Sequence, residues 1–370
     1  MKEGQEWIAR EKLENPDNDL THLIKNYNDI IILLISEDVT LYKKLKSNES
    51  YRLTSLKKSA RNSPWHRYSQ AEILLQWAFV KLKFGDETAA AWNLRQAYRL
   101  LEENRKLYPE FTEQKKSLGF LNIIIGSVPD SYHWVLNIMG VKGSIPEGIN
   151  QLEEAATKKN SFQLEARLLK TVIECFMLNK EEKRFKEIRE LYSEYPDNLL
   201  IHFIYATLLS KNDESLMALK VLVNRPSGSE YIPFPVLDFM EGEIYLFKGD
   251  YLNARESYLK FLHNFKGKNL IKDTYFKLFL TYWLTGEDEK AIAHLNKVLT
   301  SGQTLYDSDK YAQRFAERKD FPDKPLMKAR LYTDGGFYEE AFEILNDYSL
   351  AKAPSLKDKI EYFYRTGRLH

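Results

Sequence analysis

Leu237–Leu262 reads LDFMEGEIYLFKGDYLNARESYLKFL, two short helical patterns hinged at Lys248-Gly249-Asp250. Leu237, Met240, Ile244 and Phe247 fall three or four residues apart and so share one face of an α-helix. Tyr251, Ala254, Tyr258 and Phe261 repeat that spacing after the hinge. Gly249 stands where a chain leaving a helix needs a positive φ, which glycine adopts without a Cβ penalty. Each predicted helix is about 12 residues, too short to persist alone in water. Its stability must come from packing against neighbours. Gly242 would cost roughly 1 kcal/mol in an ordinary helix interior. With Ala254, it predicts two helices that approach each other closely.

The pattern recurs in register. Counting Pro235 as position 1 puts Gly242 at 8, Tyr245 at 11, Ala254 at 20 and Tyr258 at 24. From Ala71, Ala78 falls at 8, Gly85 at the turn, Ala90 at 20 and Ala97 at 27. Another unit begins at Glu165, with Leu168, Val172 and Cys175 on its first helix and Ile188 and Leu191 on its second. Leu199 starts the next, 34 residues on, with Ala206, Leu209, Ala218 and Leu222 in the packing positions. The unit from Lys272 carries Tyr275, Tyr282, Gly286, Ala291 and Val298, and Pro322–Tyr348 carries Ala329, Tyr332, Gly336, Ala341 and Leu345. These hairpins resemble the tetratricopeptide repeat, a helix–turn–helix unit of 34 residues, as found in bacterial helical-repeat proteins. The resemblance covers roughly three-quarters of the chain. It implies an all-α, right-handed α-solenoid.

The register is irregular over residues 1–160 and cleaner over 161–370, two halves of one expected continuous array. It departs most from the family in 19–61, 111–160 and 301–321, the last an insert with a predicted short helix over Asp309–Arg318. Ser144, followed by Pro146, predicts a helix N-terminus. Pro16-Asp17-Asn18 repeats the terminator Pro196-Asp197-Asn198, which would make Met1 the start of a second helix lacking its first. Lys359–His370 reads as a first helix lacking its second, with Gly367 at position 8. A fragment of a longer protein is therefore expected, with any targeting signal outside it.

Composition closes off several classes. Hydrophobic residues at 44% and charged ones at 29% are ordinary for a soluble globular protein. A net charge of +1 gives no general case for nucleic acid, and none is expected as a partner. Lys43–Arg61, with seven basic residues and one acid, reads either as a solvated helix surface or as a docking face for an acidic partner. The longest apolar run, Ile30–Ile35, is far too short to span a bilayer. Cys175 is the single cysteine, so an intrachain disulfide is impossible, and its apolar helix predicts a buried thiol. His22, His66, His133, His202, His263, His294 and His370 are scattered without ligand spacing. No Gly-rich phosphate loop or nucleophile elbow appears, and Asp307-Ser308-Asp309 is too short for a calcium loop. No catalytic residue, metal or cofactor is assigned, and a non-enzymatic role is expected.

In the family, first-helix positions 2, 5, 9, 12 and 13 tend to face a concave, peptide-binding surface. Carried onto this chain, those positions nominate Phe203, Phe239, Glu243, Phe247, Phe276, Leu280 and Trp283 as a partner groove. The lysines and asparagines with which some members clamp a C-terminal carboxylate are missing from the mapped positions. The aromatic lining admits two readings, an apolar groove for a partner or rings buried against one another. The resemblance implies a scaffold or adaptor for a protein or peptide partner. The alternative is a substrate-recognition or regulatory segment of a larger enzyme or cell-envelope system.

Overall fold

A computed structural model describes residues 2–15, 18, 20–58, 62–129, 136, 140–177, 181–353 and 355–369. Met1, Pro16, Asp17, Arg61, His133 and His370 lie outside the described residues, as do residues 134–139 apart from Leu136. Among the described residues the protein is helical and contains no strand. The helices are α1 (Lys2–Glu14), α2 (Leu20–Ser36), α3 (Val39–Leu45), α4 (Ser47–Lys58), α5 (Pro64–Lys83), α6 (Glu87–Leu107), α7 (Glu113–Gly126), α8 (Ile145–Thr157), α9 (Gln163–Phe176) and α10 (Glu181–Glu194). There follow α11 (Leu199–Lys211), α12 (Ser215–Val223), α13 (Val236–Phe247), α14 (Tyr251–Asn264), α15 (Ile271–Leu284), α16 (Asp288–Thr300), α17 (Asp307–Arg318), α18 (Lys324–Asp334), α19 (Tyr338–Asp347) and α20 (Leu356–Leu369). The chain divides into two compact units, Met1–Leu191 with Ser227–Ile232, and Tyr192–Pro226 with Pro233–His370.

Sequence neighbours pack as antiparallel pairs: α5 with α6, α7 with α8, α11 with α12, α13 with α14, α15 with α16, and α18 with α19. One turn joins five of these pairs. Gly85, Asp213, Gly249, Gly286 and Gly336 all occupy register position 15, and all have φ between +60° and +82°. The amide of the residue after each donates to the carbonyl five residues back: Asp86 to Lys81, Glu214 to Leu209, Asp250 to Tyr245, Glu287 to Tyr282 and Phe337 to Tyr332, at 2.8–2.9 Å. This is the Schellman closure of a helix, which satisfies carbonyls that would otherwise lack partners. At Asp86 and Asp250 the same residue then caps the second helix, accepting from the Ala89 and Asn253 amides. The close approach read from Gly242 is present, since a Cβ there would lie 2.8 Å from the Tyr258 ring.

In the first unit the core holds Trp77, Tyr68, Leu33 and Leu101 without solvent contact. The predicted cap is formed, with Ser144 Oγ accepting from the Glu147 amide at 3.4 Å. The α7–α8 pair, the one least like the family pattern, is among the tightest. Gly119 and Gly148 face each other so closely that a Cβ on either would lie 2.6–2.7 Å from the other's carbonyl oxygen.

In the second unit the insert forms α17, which is docked by a buried carboxylate. Asp309 accepts from the Leu270 amide at 2.7 Å and the Asp273 amide at 3.1 Å. It thereby caps α15, whose own preceding residue, Leu270, is left-handed at φ 63° and offers no side-chain oxygen. α18 packs on α13 as well as on α19, and Tyr338 Oη donates to Asp213 Oδ2 at 2.7 Å. The last regular hairpin thus reaches back to the first two of its unit.

Candidate functional site

Part of the nominated set meets at one cavity in the second unit. It has a volume of about 230 Å³ and is bounded by α13, α15, α17 and α18. Four nominated residues, Glu243, Phe247, Phe276 and Leu280, line it, together with Leu246, Met327 and Leu331. The other three lie elsewhere. Phe239 is buried beneath it against Tyr258 and Phe261. Phe203 packs on Phe234, ring centroids 5.4 Å apart. Trp283 stacks between Phe279 and Phe321 and donates its indole N–H to the Pro322 carbonyl at 3.0 Å. The aromatic positions therefore divide: Phe239 and Phe276 are buried core, Phe276 with an edge on the cavity, and Phe247 lines the cavity wall.

The polar wall combines Glu243, Asp273, Lys277, Arg330 and Asp334. Lys277 bonds to Glu243 and to Asp273 Oδ2, the latter at 2.8 Å, with its ammonium 4.3 Å from the Phe239 ring centroid. Burial works against the charge on Lys277, but Asp273 and Glu243 outweigh it and hold the pKa above the ordinary lysine value. Burial pushes the Glu243 carboxyl above the usual carboxylate range, against the pull of Lys277. Glu243 lies deep in the fold, yet 29% of its side chain stays accessible, where it faces the cavity. Arg330 Nη1 donates to Tyr311 Oη at 3.2 Å, and its Nε reaches Asp334 Oδ2 at a long 3.4 Å.

A second cavity of about 260 Å³ shares Tyr311, Met327 and Arg330 with the first and continues past Arg314, Phe315 and Leu326. Each volume falls below the roughly 300 Å³ at which small-molecule sites begin, and each matches one anchoring side chain of a larger ligand. Sequence reasoning did not nominate Asp273, Arg330 or Asp334, although they fall at positions 2, 9 and 13 of their own units. Tyr311 carries no such signal, because it comes from the insert.

The described histidines do not assemble. His202 is buried with its ring nitrogens 2.8 Å from the Pro196 carbonyl oxygen and 3.2 Å from that of Val221. His294 stacks on Tyr282. Among the described residues no group of three or more His, Cys, Asp or Glu side chains is placed to hold a metal, and no helix is long and apolar enough to cross a membrane. Cys175 is buried. Within Lys43–Arg61, Arg52 is internal, donating to Asp29 at 2.6 Å and Asn26 at 2.8 Å. No protein-family model matches the chain, and comparison with curated proteins finds no match.

Proposed function

We propose that the protein is a non-catalytic interaction scaffold built from tetratricopeptide-like hairpins in a right-handed solenoid. Its second unit takes a segment of a partner protein through the paired cavities around Tyr311 and Arg330. The observation that carries this reading is a coincidence of register with shape. Positions 9 and 13 of the unit beginning at Pro235, 2, 5 and 9 of the unit beginning at Lys272, and 9 and 13 of the unit beginning at Pro322 supply seven of the 13 residues of the wall.

The partner is an extended or helical peptide with an apolar anchor for Phe247, Phe276, Leu280 and Met327. Arg330 and the carboxylates supply hydrogen bonding at its flanks. Two adjoining cavities suit two anchors spaced along one chain. The test is to select displayed peptides on the purified protein and map a binder by hydrogen exchange. Protection concentrated in α13, α15 and α18 is expected. Binders that protect only segments of the first unit would refute the site.

A further inference from the structure

A second site lies in the first unit, around the buried Lys116. Lys116 is 4% exposed and pairs with two carboxylates, Glu72 Oε2 at 2.9 Å and Glu165 Oε2 at 2.6 Å. Its ammonium also lies 4.7 Å from the Phe162 ring centroid and 5.8 Å from that of Tyr27. Tyr27 Oη donates to Glu165 Oε2 at 3.0 Å. Lys116 therefore serves two carboxylates at once, and the one with surface left for a further partner is the outer one. Glu72 is 2% exposed, whereas the Glu165 side chain keeps 37% of its surface accessible.

That outer carboxylate lines a pocket of about 390 Å³ whose walls are otherwise mostly apolar, with Leu20, Leu23, Ile24, Tyr27, Trp65 and Phe162 beside the hydroxyl of Ser161. We propose that this pocket is a socket for a lysine or arginine side chain of a partner protein. The aliphatic stem would lie on Trp65, Leu20 and Ile24, and the cationic head would reach the Glu165 carboxylate. Charge complementarity selects this occupant. A cation pairs with the Glu165 carboxylate, and Tyr27 and Phe162 already hold one ammonium on their π-systems. An anionic side chain would meet Glu165. An apolar one would strip water from a carboxylate and return no donor. The site rests on its own geometry and stands apart from the reading of the second unit.

The experiment follows the Leu and Ile methyl resonances of the full chain during titration with n-pentylammonium and n-pentylguanidinium. The neutral 1-pentanol and the anionic pentanoate serve as matched probes. Saturable shifts at Leu20 and Ile24 are expected with both cations, at least about tenfold weaker with 1-pentanol and absent with pentanoate. Glu165→Gln is expected to weaken the cations by at least about tenfold. Ile24→Lys, at a position 50% exposed and outside the ion cluster, should block them even if the first variant proves unstable. Equal binding of 1-pentanol and the cations would reduce the site to an apolar pocket and overturn the proposal. So would the absence of saturable shifts, or cation binding undiminished in a folded variant.

Discussion

Lys116 carries a full charge into the interior of the first unit. Burial alone would drive the proton off, and Glu72 leads the groups that outweigh it, so the pKa lies well above the ordinary 10.5. Lys116→Met should therefore cost about 3–5 kcal/mol in urea unfolding at neutral pH, because it strands the Glu72 carboxylate. The double variant Glu72→Gln/Lys116→Met should recover most of that loss. The pH dependence has a definite sign. The folded pKa of Lys116 lies above the unfolded one, so its contribution is complete below about pH 10.5 and is lost as pH rises toward the folded value. Burial raises Tyr27 and Tyr68 above 10.0, and both act in the same direction. The unfolding midpoint should fall steadily above about pH 10, and a rising midpoint would contradict this account of the cluster. None of this was legible in the sequence. Lys115 and Lys116 are the same residue type side by side, yet successive residues of a helix point about 100° apart. Lys115 turns to Glu154 at the periphery and Lys116 turns inward.

At the scale of the element, the recurring turn is the clearest device in the chain. Gly85 and Gly286 have φ of +82° and +81° with open space where a Cβ would stand. Alanine at either should cost about 1–2 kcal/mol from backbone strain alone, and by the same amount in each if the turns are equivalent. Gly249→Ala should cost more, since its Cβ would lie 2.5 Å from Tyr332 Oη. Thermal unfolding of the three variants checks the order. Four of the five turns were legible because glycine marks them, whereas Asp213 adopts the same conformation at φ 60° without that mark. The α17 docking was legible only as a helix. That Asp309 caps α15 is a contact across 36–39 residues, and no local pattern encodes it. Asp309→Ala should destabilise by about 0.5–2 kcal/mol, read by urea unfolding. Gly119 and Gly148 were equally silent, because a helical glycine looks the same in sequence whether or not another helix lies against it.

At the scale of the whole molecule, a hydrophobic register predicts which helices pair and leaves open what lies beyond the nearest neighbour. In an open array each repeat touches only the next. In the second unit α18 also touches α13, and Tyr338 reaches Asp213, 125 residues away. Phe239 is buried against the second helix of its own hairpin, whereas Glu243, Leu280 and Tyr311 face the cavity that α13 and α18 help to bound. Position numbers alone nominated Phe239, Glu243 and Leu280 on equal terms and gave no sign of Tyr311. The measurement that bears most directly on the scaffold reading is the dissociation constant of a selected peptide for the full chain and for Tyr311→Ala/Arg330→Glu. Both residues line the two cavities, and neither is wholly buried. Binding should weaken by at least about tenfold, with circular dichroism and unfolding midpoint preserved. An unchanged dissociation constant in that folded variant, for every peptide selected, would contradict the assignment of this face as the partner site.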